Sequence, residues 1–167
     1  AMNVATHTVG SWRRILGTLT LAVLLEQLPW SGQALALRPD FVLVGVLFWT
    51  LHQPARISFG AAFFLGLLAD FQDGAVFGQH AIAYVAGVYL VLFLRLRLLQ
   101  FDPLRQAAQL FPILLAVQLL VLLIGWLAVN PPTGLAMLLP VLSSAVLWYL
   151  IALFVRLWHG KGMQDRA

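Results

Sequence analysis

Cysteine is absent from the 167 residues, and charge is scarce, with ten Lys/Arg and six Asp/Glu. Without cysteine there is no disulfide framework, thiolate metal site or cysteine nucleophile. Only 10% of the residues are charged, against about 25% in soluble domains. Catalytic patterns are missing too: there is no Ser-His-Asp order, HExxH, Walker loop or GxSxG. No catalytic, cofactor or metal residue can be assigned, and an enzyme reading has nothing to rest on. What fills the chain is apolar: 62% of it is hydrophobic, and the mean hydropathy is +0.92. A soluble domain of this length could not hide so much, because folding buries only about 70% of the exposed surface. Soluble enzyme, nucleic-acid binder and disordered linker are excluded. The composition specifies an integral membrane protein with lipid as its surroundings and no nucleic-acid partner.

Six apolar segments follow, with spans expected at about 13–30, 39–53, 57–71, 80–97, 107–129 and 135–156 in one membrane domain over 1–167. Ala1 ahead of Met2 reads as an addition, with the natural start at Met2. The first segment is too long and apolar to be only a signal core, and no small-residue cleavage site follows it. Helices are the expected element, since alternating strand patterns are absent and an open sheet cannot span lipid. Segments two and three have short apolar cores that reach roughly 17–20 Å, against a hydrocarbon layer of about 30 Å. A re-entrant hairpin would place Arg56 near the membrane centre at a cost of ~2.5–3.5 kcal/mol. Two true spans with polar ends are the better expectation.

Six crossings place Arg13, Arg14, Arg56, Arg95, Arg97, Arg105, Arg156, Lys161 and Arg166 on one side, with only Arg38 on the other. That positive-inside bias predicts both termini in the cytoplasm. Trp12, Trp30, Trp126 and Trp158 fall near the expected interfaces, while Trp148 lies deep in segment six as a packing residue.

The same topology collects Glu26, Arg38, Asp40, Asp70, Asp73 and His80 at the outer face. Carboxylates at membrane depth are costly unless they pair or line a wet cavity, so this cluster is the candidate site, whether structural or binding. The structural reading pairs Asp70 with Arg38 and makes Asp40 the cap of helix two. It gives Asp73-Gly74 to a turn and lets Glu26 snorkel to the interface. A metal site at His80, Asp70 and Asp73 is not expected, because the spacing matches no ligand motif. Ala62 and Gly66 form a small-xxx-small face suited to helix packing, and Gly74 and Gly78 suit a loop with positive φ. Gln118 and the Ser143-Ser144 pair are expected to make interhelical or backbone hydrogen bonds. Pro112 and Pro140 are expected near helix starts.

The run Leu37-Arg38-Pro39-Asp40-Phe41, then Pro54-Ala55-Arg56, then Gly66-Leu67-Leu68-Ala69-Asp70, Gly74 and Phe77-Gly78-Gln79-His80-Ala81 resembles the rod shape-determining protein MreD family. The likeness is close over about Ser11 to Tyr84 and looser beyond. It implies a non-catalytic inner-membrane subunit of the bacterial elongation machinery, with no cofactor. The implied partners are an MreC-like membrane protein and, through it, the RodA glycosyltransferase, a class B penicillin-binding protein and MreB. The expected mechanism is to position a partner's membrane helix, with Ala62/Gly66 as a docking face. The alternative is a small-molecule or lipid-binding subunit similar to the substrate-binding component of energy-coupling-factor transporters, with a ligand among Arg38, Asp70 and His80.

Overall fold

The computed structural model describes residues 9–57, 59–128 and 135–164, which are helical with short connections and contain no strand. The helices are α1 (Val9–Glu26), α2 (Gln33–Ala36), α3 (Phe41–His52), α4 (Phe59–Asp73), α5 (Gln79–Leu98), α6 (Pro103–Ala128) and α7 (Leu139–Gln164). A 3₁₀ turn at Leu135–Leu138 leads into α7. The six long helices fall on the six expected segments. The short helix α2, inside the first connection, was not anticipated.

Four stretches are long and apolar enough to cross a membrane: Gln33–His52, Gln79–Leu98, Pro103–Ala128 and Ala136–Leu157. The other two long helices fall short on different grounds. Helix α1 carries Arg13, Arg14 and Glu26 within its 18 residues, and α4 has only 15 residues.

Helix α3 is the central post. Val42, Leu43, Val44, Val46, Leu47, Thr50 and Leu51 are buried around it, as expected for a helix apolar on every side. Helices α1, α5 and α7 pack on it, and α4 to α7 pack in succession. Thr50 satisfies its hydroxyl by donating to the Val46 carbonyl at 2.8 Å. Outward faces are lined with Phe64, Phe93 and Leu104, each about 70% exposed. Exposed apolar surface of that extent suits lipid and would be a liability in water.

Glycine sets the closest approaches. A Cβ on Gly66 would stand 2.4 Å from the Ala81 Cα, so α4 and α5 meet backbone to backbone there. Ala62 and Gly66 are both buried, and α5 occupies the approach at Gly66. The expectation that a partner helix docks on this face is therefore corrected: the chain's own α5 fills it. Pro112 is also corrected. Helix α6 starts at Pro103, which places Pro112 inside the helix, while Pro140 stands in the first turn of α7.

The charges sort to two ends. At one end the Arg56 guanidinium lies 5.4 Å from the Trp12 ring centroid. There Arg95 Nε donates to the Leu51 carbonyl at 2.8 Å, and Arg156 pairs with Asp102 at 2.8 Å. The acidic cluster lies at the opposite end.

Candidate functional site

Asp70 is almost fully buried, 1% exposed, in the last turn of α4. Its Oδ2 accepts from the Gly78 N–H at 2.9 Å. Its Oδ1 accepts from the His80 N–H at 2.7 Å and faces His80 Nδ1 at 2.9 Å. Gly78 precedes α5 with φ 96° and has no side chain to cap it. Asp70 supplies that cap from the neighbouring helix, where a carboxylate also suits the positive end of the helix dipole. The chain returns through Gly74, with φ 61°. There the Ala75 N–H donates to the Asp70 carbonyl at 2.9 Å, the six-to-one bond of a Schellman ending.

The anticipated Arg38–Asp70 pair does not form. Arg38 Nη2 instead meets Asp73 Oδ1 at 2.8 Å, and Nη1 donates to the Glu26 carbonyl oxygen at 3.3 Å. The reason is local: the start of α5 uses both oxygens of Asp70, and Asp73 lies nearly one turn further along the helix. Arg38 thereby ties the end of α1 to the end of α4.

Asp40 caps α3 as the sequence suggests, accepting from the Leu43 N–H at 2.8 Å. Tyr84 adds more, its hydroxyl lying 2.7 and 2.8 Å from the two Asp40 oxygens. The Asp40 N–H donates to Ser144 Oγ at 2.9 Å, which joins α3 to α7. Glu26 does not snorkel. It is 8% exposed, and its Oε1 accepts from the Val42 N–H at 3.3 Å.

Several of these groups line a partly open cavity of about 160 Å³, to which five of the six long helices and the cap of α3 contribute. Glu26 comes from α1, Asp40 from the start of α3, Asp73 from α4, and His80 and Tyr84 from α5. Gln118 comes from α6 and Pro140 from α7, while Leu35 and Arg38 close the cavity from the first connection. Asp70 is absent from this lining and stands behind His80. Gly74 and Gly78 shape the return loop. Tyr84 and Gln118 escaped the sequence-based cluster. The available signal for Tyr84 was its place one turn after His80, on the same face of α5. Gln118 donates to the Met137 carbonyl at 3.0 Å, which fastens α6 to the entry of α7.

Chemically, the cavity offers carboxylates, one guanidinium, an imidazole and a phenol. The nearby hydroxyl, Ser144 Oγ, is bonded to the Asp40 backbone, and His80 Nδ1 faces Asp70. Among the described residues no three His, Cys, Asp or Glu side chains are grouped so as to hold a metal ion.

Buried polar groups at one end of apolar, lipid-compatible helices define an all-helical, multi-pass membrane protein. Residues 6–158 match the family described as rod shape-determining protein MreD, and the chain belongs to that family. It is 31% identical over 86 residues to the rod shape-determining protein MreD of Haemophilus influenzae, a match covering 52% of this chain and 53% of that protein. The alignment thus spans about half the length of that curated relative. No solved structure matches the chain.

Proposed function

We propose that this protein is a non-catalytic subunit of the bacterial cell-elongation complex, held in the inner membrane by six crossings with both termini cytoplasmic. Membership of the rod shape-determining family over residues 6–158 carries the reading. The gathering of arginines at one end supports the orientation, since basic loops face the cytoplasm. Helices α1 and α4 would then cross with their polar ends at the interfaces. Lipid thins locally around short spans at a modest cost.

In this reading the protein binds an MreC-like membrane protein and, through it, helps organise the RodA glycosyltransferase, a class B penicillin-binding protein and MreB. With connections too short to form a soluble domain, contact has to come from lipid-facing helix surfaces and the polar mouth. The mouth residues Glu26, Arg38, Asp40, Asp73 and His80 would receive the segment of the partner that leaves the membrane. Binding one arrangement of the complex better than others would shift it toward the active state. Co-purification in mild detergent with an MreC-like partner, together with rescue of rod shape in depleted cells, tests the reading. Normal shape and wall synthesis after deletion would overturn it.

The polar cavity favours one second reading, a subunit that holds a small polar molecule among Glu26, Arg38, Asp40 and His80, as transporter substrate-binding components do. Co-purification with an ATPase module instead of the wall-synthesis proteins would select it.

A further inference from the structure

The cavity at the acidic end is lined by three carboxylates, Glu26, Asp40 and Asp73, against one guanidinium, Arg38. The side chains there that carry donors already use them. Arg38 gives one Nη to Asp73 and the other to the Glu26 carbonyl. The Tyr84 hydroxyl serves Asp40, His80 Nδ1 faces Asp70, and Gln118 Nε2 serves the Met137 carbonyl.

Acceptors are left over. Glu26 is 8% exposed, and among the described residues its carboxylate takes one donor, the Val42 N–H on Oε1. Asp40 stands beside it, carboxyl to carboxyl. Like charges in contact repel, and a cation seated against both relieves the repulsion. A proton shared by the pair would do the same, but it would leave two further oxygens unmet. Asp73 Oδ2 is 4.0 Å from His80 Nε2, too far for a hydrogen bond. Gln118 Oε1 has no donor among the described residues. The buried side-chain atoms that lack a partner there belong to Gln53 and Gln72. The unmatched oxygens of Glu26 and Gln118 are therefore not sealed, and they open onto the cavity these residues line.

We infer that the cavity is a site for a primary alkylammonium group, held by Glu26, Asp73 and Gln118. An ammonium is a compact charge with three N–H donors and no acceptor. It complements the unmet oxygens and the surplus negative charge together. A volume of about 160 Å³ equals that of about five waters at roughly 30 Å³ each. That is room for the ammonium and a few methylenes, beside which Leu35 and Pro140 supply apolar lining. An anion would meet the carboxylates, and a quaternary ammonium would bring charge without donors. The group can arrive as a lysine side chain of a partner's emerging segment or as the headgroup of phosphatidylethanolamine. The inference rests on the reading of the mouth as a receiving site and names what it receives.

Calorimetric titration of the full chain in phosphatidylglycerol nanodiscs with butylammonium tests the site. Butylammonium should bind at least about ten-fold more tightly than butyltrimethylammonium, which has lost the charge-assisted hydrogen bonds. Butyrate should not bind. Glu26→Gln keeps an acceptor for Val42 and should weaken butylammonium about ten-fold. Asp73→Asn, at a partly exposed position, should weaken it about five-fold and decides the matter if Glu26→Gln does not fold. Phosphatidylethanolamine nanodiscs separate the sources. Several-fold weaker butylammonium binding there identifies the lipid headgroup as occupant. Equal affinity in both lipids, with binding blocked by an MreC-like partner, identifies the lysine. Equal affinity for the two ammonium ions would overturn the site. So would unchanged affinity in both variants, which would leave Glu26 and Asp40 sharing a proton. The chain is titrated without its complex, so that failure would leave the proposed elongation role standing.

Discussion

Asp70 of α4 caps α5 through His80, accepting from its backbone N–H at 2.7 Å and facing its ring Nδ1 at 2.9 Å. One carboxylate thus fastens two consecutive helices where glycine has left the second without a cap of its own.

Replacing Asp70 with Ala should destabilise the protein by roughly 1–3 kcal/mol, because the part-buried N–H groups of Gly78 and His80 lose their acceptor. Thermal unfolding in detergent and the amount of folded protein in the membrane read the effect. Asp70→Asn, which keeps one acceptor, should fall between the two. An unchanged melting temperature in Asp70→Ala would remove the capping role.

Gly66→Ala places a methyl carbon 2.4 Å from the Ala81 Cα, with backbone on both sides of the clash. Helices α4 and α5 must separate, at a cost of about 1–3 kcal/mol or more, as for other overpacked contacts. Gly17→Ala is the control, since nothing lies within 4 Å of its new Cβ. It should be neutral or stabilising by up to about 1 kcal/mol. Comparable melting temperatures for the two variants would contradict the close approach.

Tyr84→Phe keeps the packing but strips the phenol donor from Asp40. A hydrogen bond to a charged group contributes about 1.5–3 kcal/mol, and that loss should appear in thermal unfolding. The cavity reading also expects lost rod-shape rescue at protein levels matching the parent. Full rescue would confine Tyr84 to the scaffold.

Arg38 and Asp73 form a half-buried pair, with side chains 21% and 34% exposed. A double-mutant cycle with Arg38→Ala and Asp73→Ala should give a coupling of about 0.5–1 kcal/mol in their favour. Coupling of Arg38 to Asp70 instead would require a different mouth.

The absence of cysteine makes topology directly measurable. Phe77→Cys and Leu104→Cys introduce single thiols at exposed positions, one just before α5 and the other in the first turn of α6 beyond its far end. A membrane-impermeant maleimide should label position 77 in intact cells and position 104 only after permeabilisation. The reverse pattern would invert the proposed orientation.

Much of the fold is legible in the sequence because lipid leaves few options. Apolar runs had to become helices, and their breaks at Pro39-Asp40, Pro54 and Gly74 mark the connections closely. The Asp40 cap was readable from Pro39-Asp40, since capping is a local matter decided within one turn. Asp70 was harder to read. Sequence places it beside Arg38 by charge alone, yet the return of α5 delivers N–H donors to it and leaves Arg38 to Asp73. Tyr84 was passed over, and Gln118 was read as a hydrogen-bonding residue but not as part of the cluster, because single polar groups in apolar helices acquire partners only when helices pack.

The amino-acid order alone therefore determined that this chain is helical, embedded in lipid and polarised between a basic and an acidic end. Hydropathy and charge act on each residue in place. Tertiary packing decided that Gly66 faces α5, that Asp70 caps while Asp73 pairs, and that five helices and the cap of α3 share one polar cavity. Those outcomes depend on distances between residues remote in sequence, and no local propensity encodes them.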